Sequence, residues 1–182
     1  MKALTTGEIL EKVSDSAIPK ATSGFWKLFI LAILAGAYIA FGAQASAMAS
    51  FNLTSDPATF GLGKLVSASV FPVGLMMVVL CGAELFTGNN LMIIGVLDRK
   101  IKVSGMLRNW VIVYAGNLAG ALLIAWLMNQ TGLFSSGGDM LGAMTVKIGA
   151  GKTSLAFGRA FILGMLCNWA AACNVSEGYR YQ

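Results

Sequence analysis

The segment "CGAELFTGNN", Cys81–Asn90, decides the fold because it interrupts an otherwise apolar stretch of the chain. "LVSASVFPVGLMMVVL" precedes it and "LMIIGVL" follows it, and both would suit a helix in hydrocarbon. Non-helical backbone survives at membrane depth only where it lines a cavity enclosed by protein, since lipid offers no hydrogen-bonding partners. The segment therefore predicts a membrane helix that is broken in its middle.

The residues of this segment have separate expected tasks. Gly82 and Gly88 allow the chain to leave the helix. Four polar side chains are expected to support the freed backbone groups: Glu84, Thr87, Asn89 and Asn90. An unpaired Glu84 would cost several kcal/mol in hydrocarbon, so it needs a partner or water. Transporters and channels build sites at midplane from such broken helices, whereas the alternative is a kinked helix with a purely structural polar network.

Composition places the whole chain in the membrane class. It has 182 residues, of which 57% are hydrophobic and 12% charged, whereas soluble domains carry about 25% charged residues. The net charge of +5 comes from Lys and Arg clusters between apolar runs, which is typical of membrane topology and argues against a nucleic-acid partner. The chain has three Cys and no His, so we expect no metal site, no cofactor and no enzyme activity.

The chain divides into three parts by its apolar pattern. Residues 1–24 form a cytoplasmic amphipathic segment, with a helix over residues 5–20 that lies on the membrane surface and ends near Pro19. Residues 25–172 form the transmembrane domain, and residues 173–182 a polar tail. We expect spans at 25–49, 62–97 with a break at 82–90, 105–128 and 155–172, and a Gly-rich loop over 129–152.

Orientation follows from the basic residues. Three Lys residues precede the first span and Lys27 lies at its start, and "DRKIK" at 98–102 follows the second span, so the N-terminus and this turn are predicted to be cytoplasmic. Lys147 and Lys152 then lie on the outer side, against the rule. A Lys retained there suggests a task, although a neutral surface position is the alternative interpretation.

Several separated motifs resemble the formate/nitrite transporter family. They are "KLVSASVFPVGL", "CGAELFTGNN", "RNWVIVYAGNLAGALL" and "LGMLCNW", in this order along residues 19–169. The resemblance implies a channel or transporter for small monovalent anions (formate, nitrite or hydrosulfide), proton-linked in the complete protein, in a bacterial-type inner membrane. It also implies a homo-pentamer of aquaporin-like helical bundles, with the lipid bilayer as the other partner.

The resemblance also implies roles for individual residues. Four apolar residues match pore constrictions. Phe71 and Leu75 match the cytoplasmic constriction. Leu85 and Phe86 match residues of the break, with Phe86 at the outer constriction. Thr87 matches a hydroxyl at the pore centre and Asn168 an amide that faces it. Lys152 matches a lysine that attracts anions at the outer entrance.

The resemblance implies six spans in two inverted repeats. This chain supplies the first repeat and the start of the fourth span, so we expect an incomplete C-terminus without the second broken helix and its central His. The alternative function is a truncated, non-conducting membrane fragment that only associates with full-length subunits.

Overall fold

The computed structural model describes residues 4–178, with side chains as far as Cys173. Every regular element in this part of the chain is helical, which confirms the all-α prediction. The helices are α1 (Thr6–Thr22), α2 (Phe25–Ser55), α3 (Phe60–Val70), α4 (Pro72–Leu80), α5 (Phe86–Asn89), α6 (Met92–Leu97), α7 (Val103–Gln130), α8 (Met140–Thr153) and α9 (Phe157–Gly178). A short 3-10 turn lies at Leu133–Ser135.

Three helical stretches are long and apolar enough to cross a membrane. They are α2 with 31 residues, α3 and α4 together with 21, and α7 with 28, against the roughly 20 residues that a span needs. Helices α8 and α9 meet the same criterion only as a pair. The helix is interrupted over residues 81–85, whereas residues 86–89 of the expected break form α5.

The described residues divide into two compact units. The first takes in Met1–Ala32, Glu84–Asn117 and Phe157–Gln182, and the second Ile33–Ala83 and Leu118–Ala156. The boundary between the units falls within the helix break, because Ala83 belongs to the second unit and Glu84 to the first. Residues 179–182 of the predicted polar tail lie outside the described residues, and its described part, residues 173–178, belongs to α9.

Within the first unit, α1 packs on α6. Val13 and Ala17 on α1 are 2% and 1% exposed, and Ala17 forms a cluster with Met92 and Met106. A Cβ on Gly95 would lie 2.6 Å from the Ala17 Cβ, so the glycine permits this close approach. Ile9 and Val13 of the amphipathic pattern are thus buried, whereas Leu10 and Ile18 are exposed.

Helix α1 does not end near Pro19, as the sequence suggested, but continues to Thr22. A proline removes only its own N–H and obstructs the turn before it, so the residues that follow can stay helical. The end of the helix is held by Ser23, whose backbone N–H and hydroxyl both donate to the Pro19 carbonyl at 3.0 and 2.7 Å. Arg108 donates to the Ser23 carbonyl at 3.0 Å and ties this end to α7.

The second unit contains a helix where the sequence predicted a Gly-rich loop. Residues 140–153 form α8, and Leu141 is completely buried. The Thr54 hydroxyl lies 3.5 Å from the Met144 sulfur, a further contact between α8 and the rest of this unit. A Cβ on Gly149 or Gly151 would have no neighbour within 4 Å, so these glycines occupy open positions. Tertiary burial of Leu141 outweighs the low helix propensity of glycine.

Candidate functional site

The helix break begins at the end of α4 with a glycine in the left-handed conformation. Gly82 has φ +64°, and its N–H donates to the Val79 carbonyl at 3.3 Å. The Ala83 N–H donates to the Val78 carbonyl at 3.0 Å. These two bonds form a Schellman motif, which satisfies carbonyl groups at a helix end and favours glycine at this position. Gly88, the other glycine of the segment, is helical within α5.

Beyond the break, one side chain from α7 satisfies the exposed backbone. The Asn117 amide donates to the Glu84 carbonyl at 2.9 Å and accepts from the Phe86 N–H at 2.9 Å. The same amide donates to the Ala32 carbonyl of α2 at 2.8 Å. The Glu84 N–H donates to the Leu31 carbonyl at 3.2 Å. Asn117 therefore bridges the broken backbone and α2, a task that the sequence had assigned to side chains of the break itself.

The Glu84 side chain has a cationic partner. Lys20 Nζ lies 2.8 Å from Glu84 Oε2 and donates to Asn89 Oδ1 at 2.7 Å. Asn89 Nδ2 in turn donates to the same Glu84 oxygen at 2.8 Å. The Lys20 and Glu84 side chains are 25% and 16% exposed, so the pair is largely shielded from solvent. Lys20, which the sequence indicated only as a topology signal, is the partner that Glu84 requires.

Two fully buried asparagines extend this contact into α7. Asn89 Nδ2 also donates to Asn109 Oδ1 at 2.8 Å, and Asn109 Nδ2 donates to the Lys20 carbonyl at 3.0 Å. The Trp110 indole N–H donates to the Asn89 carbonyl at 2.9 Å. We call these four residues the polar network: Lys20, Glu84, Asn89 and Asn109. A buried network with its groups satisfied rigidifies a site, because hydrogen bonds strengthen at low dielectric.

The residues after the break are directed toward α9 and α7. Asn90 Nδ2 donates to Asn168 Oδ1 at 2.6 Å, and Asn168 Nδ2 donates to the Gly164 carbonyl at 2.8 Å. Thr87 is half-buried, and its hydroxyl has no hydrogen-bonding partner within the described chain. The Phe86 ring makes edge contacts with two aromatic rings of α7, with centroid distances of 6.0 Å to Trp110 and 5.6 Å to Tyr114. Leu85, just before it, is half-buried.

The other residues that the resemblance singled out belong to the second unit. Phe71 is 44% exposed and lies at the junction of α3 and α4, and Leu75 is half-buried on α4. Lys152 is exposed in the last turn of α8, and Lys147 is exposed on the same helix. Neither ammonium has an ion-pair partner among the described side chains of residues 4–173. Among the same side chains, no group of three or more His, Cys, Asp or Glu is arranged to hold a metal ion.

Sequence reasoning missed Asn109 and Asn117 as site residues. Both lie in the motif "RNWVIVYAGN", about two helical turns apart, so they share one face of α7. A signal was present, because amide side chains within an apolar span need partners and are expected to face the protein interior. The identity of those partners depends on tertiary contacts with α1, α2 and the break.

Comparison with known proteins identifies relatives over most of the chain. The sequence profile of the family described as "Formate/nitrite transporter" matches residues 7–180. The "Probable formate transporter" of Methanothermobacter thermautotrophicus is 40% identical over 157 residues, which are 79% of this chain and 57% of the relative. "Formate channel FocA" of Escherichia coli (strain K12) is 34% identical over 171 residues, covering 93% of this chain and 59% of that protein.

Solved structures with the same fold include two channels. A "Pentameric formate channel with formate bound" has a TM-score of 0.70 and 32% identity, and the match covers 82% of this chain and 58% of that one. An "FNT family ion channel" has a TM-score of 0.78 and 25% identity, covering 96% and 69%. The chain thus spans a little under three fifths of the length of the two curated relatives above.

Proposed function

Because the chain belongs to the formate/nitrite transporter family, we propose that it forms part of a pathway for small monovalent anions across a membrane. The observation that carries the proposal is the family match over residues 7–180. Formate is the first candidate substrate, because relatives named as formate channels match most of this chain. Nitrite and hydrosulfide are the other candidates. The family consists of transporters, which confirms the expectation that this chain is not an enzyme.

The chemistry of the break supports an anion as the transported species. An anion that leaves water loses its hydration, so a pathway must supply hydrogen-bond donors. We assign this task to the Thr87 hydroxyl and the Asn168 amide. The Thr87 hydroxyl makes no bond within the described chain, and it is therefore free to donate to a passing anion. The polar network and Asn117 hold the backbone that carries Thr87.

Apolar side chains are proposed to restrict the pathway. We assign this role to Phe71, Leu75, Leu85 and Phe86. Apolar constrictions exclude hydrated ions and close by dewetting. A weak acid passes such a constriction more easily in its protonated, neutral form, so we propose that transport in the complete protein is linked to protons.

Lys152 is proposed to concentrate anions at the outer entrance. Its ammonium is exposed and has no carboxylate partner in the described chain, so its field is not neutralised locally. Lys147 on the same helix is the matched control. Lys152→Met is expected to lower anion influx at low salt and to have less effect at high salt, because salt screens exposed charges. Lys147→Met is expected to lower influx less, because the resemblance to the family assigns the entrance to Lys152 and not to Lys147.

The assembly and its orientation are part of the proposal. We propose a homo-pentamer, supported by a structural relative that is described as pentameric. We also propose that the N-terminus and the basic turn at residues 98–102 face the cytoplasm of a bacterial-type inner membrane. Crosslinking in native membranes tests the first statement, and labelling of single Cys variants with a membrane-impermeant reagent tests the second.

The direct test is formate uptake by proteoliposomes that contain the chain. Thr87→Val removes the hydroxyl at nearly constant shape, whereas Thr87→Ser retains it. A lost hydrogen bond to a charged group costs about 1.5–3 kcal/mol, so we expect Thr87→Val to slow uptake by roughly 10-fold to 100-fold. Thr87→Ser is expected to retain most of the activity. Equal uptake by Thr87→Val and the unmodified chain would remove Thr87 from the pathway.

A second preparation separates the proposal from the alternative of an associating fragment. The chain is coexpressed with a longer member of the family, and the purified complex is reconstituted in the same way. The alternative predicts that the two copurify and that uptake depends on the longer subunit alone. Absence of uptake above empty liposomes in both preparations would overturn the proposed function.

A further inference from the structure

The contact between Asn90 and Asn168 assigns a further task within the first unit. We propose that Asn90 is a positioning residue that orients the Asn168 amide so that it offers an anion a donor and not an acceptor. This inference rests on the proposed function and deepens it. Asn90 then acts through Asn168 and need not touch the anion itself.

The orientation of the Asn168 amide follows from its two partners. Its Nδ2 lies 2.8 Å from the Gly164 carbonyl, one turn earlier on α9. A backbone carbonyl can only accept, so the nitrogen end of the amide must face Gly164. Its oxygen end then faces Asn90, whose Nδ2 donates to it at 2.6 Å. The Gly164 carbonyl thus defines which end of Asn168 is the nitrogen, and the Asn90 amide stabilises this orientation by donating to the oxygen end.

This arrangement leaves a donor without a partner. An asparagine amide has two N–H donors and one carbonyl oxygen. One N–H of Asn168 bonds Gly164 and the oxygen accepts from Asn90, whereas the second N–H has no partner among the described residues. The carbonyl oxygen carries partial negative charge and would repel an anion, so its engagement by Asn90 favours anion passage. An amide rotated by 180° would reverse this preference.

Asn90 is itself held in place by its neighbours. It is the C-cap residue of α5 and follows directly after Asn89, which is fully buried in the polar network. The Asn89 carbonyl accepts from the Trp110 indole, so the backbone next to Asn90 is anchored to α7. Asn90 and Asn168 are both half-buried, and reduced solvent access strengthens the hydrogen bond between them. A residue on such rigid backbone is suited to orient another side chain.

The test is a double-mutant cycle in proteoliposomes with formate and the neutral solute formamide as probes. Asn90→Leu removes the donor, and Asn168→Leu removes the amide on which it acts. Asn90→Leu is expected to lower the ratio of formate to formamide permeability by about 10-fold, as for loss of one hydrogen bond. In the Asn168→Leu background, the same change is expected to have no further effect, because coupled residues are not additive.

Three results separate the possible failures. Equal effects of Asn90→Leu in both backgrounds, or an unchanged permeability ratio, would overturn the positioning role. No formate uptake above empty liposomes, either by the unmodified chain or by its complex with the longer family member, would instead overturn the proposed function on which it rests. Asn90→Ala provides a smaller substitution if the Leu variant does not give a monodisperse protein with the helical circular dichroism of the parent. The same cycle is then measured with Ala.

Discussion

Lys20 Nζ and Glu84 Oε2 lie 2.8 Å apart although the two residues are 64 positions apart in sequence. The contact joins the N-terminal helix α1 to the chain just beyond the helix break. Asn89 bonds both members, at 2.7 Å to Lys20 and 2.8 Å to Glu84. Removal of only one member of an ion pair at low dielectric is costly, because the charge that remains has lost its partner and is poorly hydrated. The contact therefore makes the conformation of the break depend on α1.

We expect Lys20→Met and Glu84→Gln each to destabilise the protein more than the double variant does. Removal of one member of a fully buried pair costs about 3–5 kcal/mol. This pair retains slight solvent access, so we expect about 2–4 kcal/mol for each single variant. The double variant leaves no isolated charge and should recover part of the loss. Thermal unfolding in detergent micelles, followed by Trp fluorescence, measures the order of the three variants.

Lys100→Met is the matched control for the ion pair. Lys100 Nζ lies 2.6 Å from Asp15 Oδ1, but the two side chains are 30% and 58% exposed. An exposed pair contributes about 0–1 kcal/mol, so this variant should unfold close to the parent. If Lys20→Met lowers the stability of the protein no more than Lys100→Met does, the polar network around Glu84 does not stabilise the fold.

Asn117→Leu is expected to destabilise the helix break directly. The substitution leaves the Glu84 carbonyl and the Phe86 N–H without their side-chain partner. Each buried unsatisfied group costs about 1–3 kcal/mol, so we expect about 2–5 kcal/mol in total. Asn129→Leu on the same helix is the control, because Asn129 is exposed and its side chain has no partner in the described chain. Thermal unfolding that is equally affected by both variants would contradict the bridging role of Asn117.

The break was predictable from the sequence because its cause is local. A Glu, a Thr and two Asn inside an apolar run cannot face lipid, and Gly82 provides the left-handed turn that ends α4. The family and the all-α fold followed from the same segment and its flanking motifs. Local patterns thus identify where the chain departs from a helix.

The partners that stabilise the break were not predictable, since they come from distant parts of the chain. Lys20 also satisfies the positive-inside rule, so its sequence context gives no sign of the contact with Glu84. Helix α8 was missed for a similar reason. Its glycines favour a loop by propensity, whereas burial of Leu141 depends on packing that the sequence does not display.

Gly82→Ala is expected to destabilise the end of α4 by about 1–2 kcal/mol through its backbone alone. The φ of Gly82 is +64°, but an added Cβ would have no neighbour within 4 Å. Gly82→Asn should cost less, because Asn adopts the left-handed conformation more readily. Thermal unfolding of the two variants measures the difference.

Gly149→Ala and Gly42→Ala give the two reference values for that measurement. Gly149 is helical and open, so Ala should be neutral or slightly stabilising there. A Cβ on Gly42 would lie 2.9 Å from the Gly74 backbone, so this variant should be the most destabilised of the set. A Gly82→Ala variant as stable as Gly149→Ala would show that the turn does not require glycine.

The first turn of α1 is expected to lose stability in acid. Thr5 donates to Glu8 Oε2 from its backbone N–H and from its hydroxyl, both at 2.7 Å. These bonds favour the ionised carboxyl and hold the pKa of Glu8 below its ordinary value of 4.5. The pKa of Glu8 is lower in the folded chain than in the unfolded chain. The carboxylate therefore stabilises the fold fully at pH values above its pKa in the unfolded chain, and this stabilisation is lost as the pH falls through its pKa in the folded chain.

Carbon-13 NMR titration of the Glu8 carboxyl in detergent micelles measures this effect. The parent should titrate below 4.5, and Thr5→Ala should shift the pKa upward because it removes the hydroxyl bond. Thr5→Ser retains both bonds and should titrate like the parent. The parent and Thr5→Ala differ in the Thr5 hydroxyl. If Glu8 has the same pKa in both proteins, the hydroxyl does not contribute to this capping box.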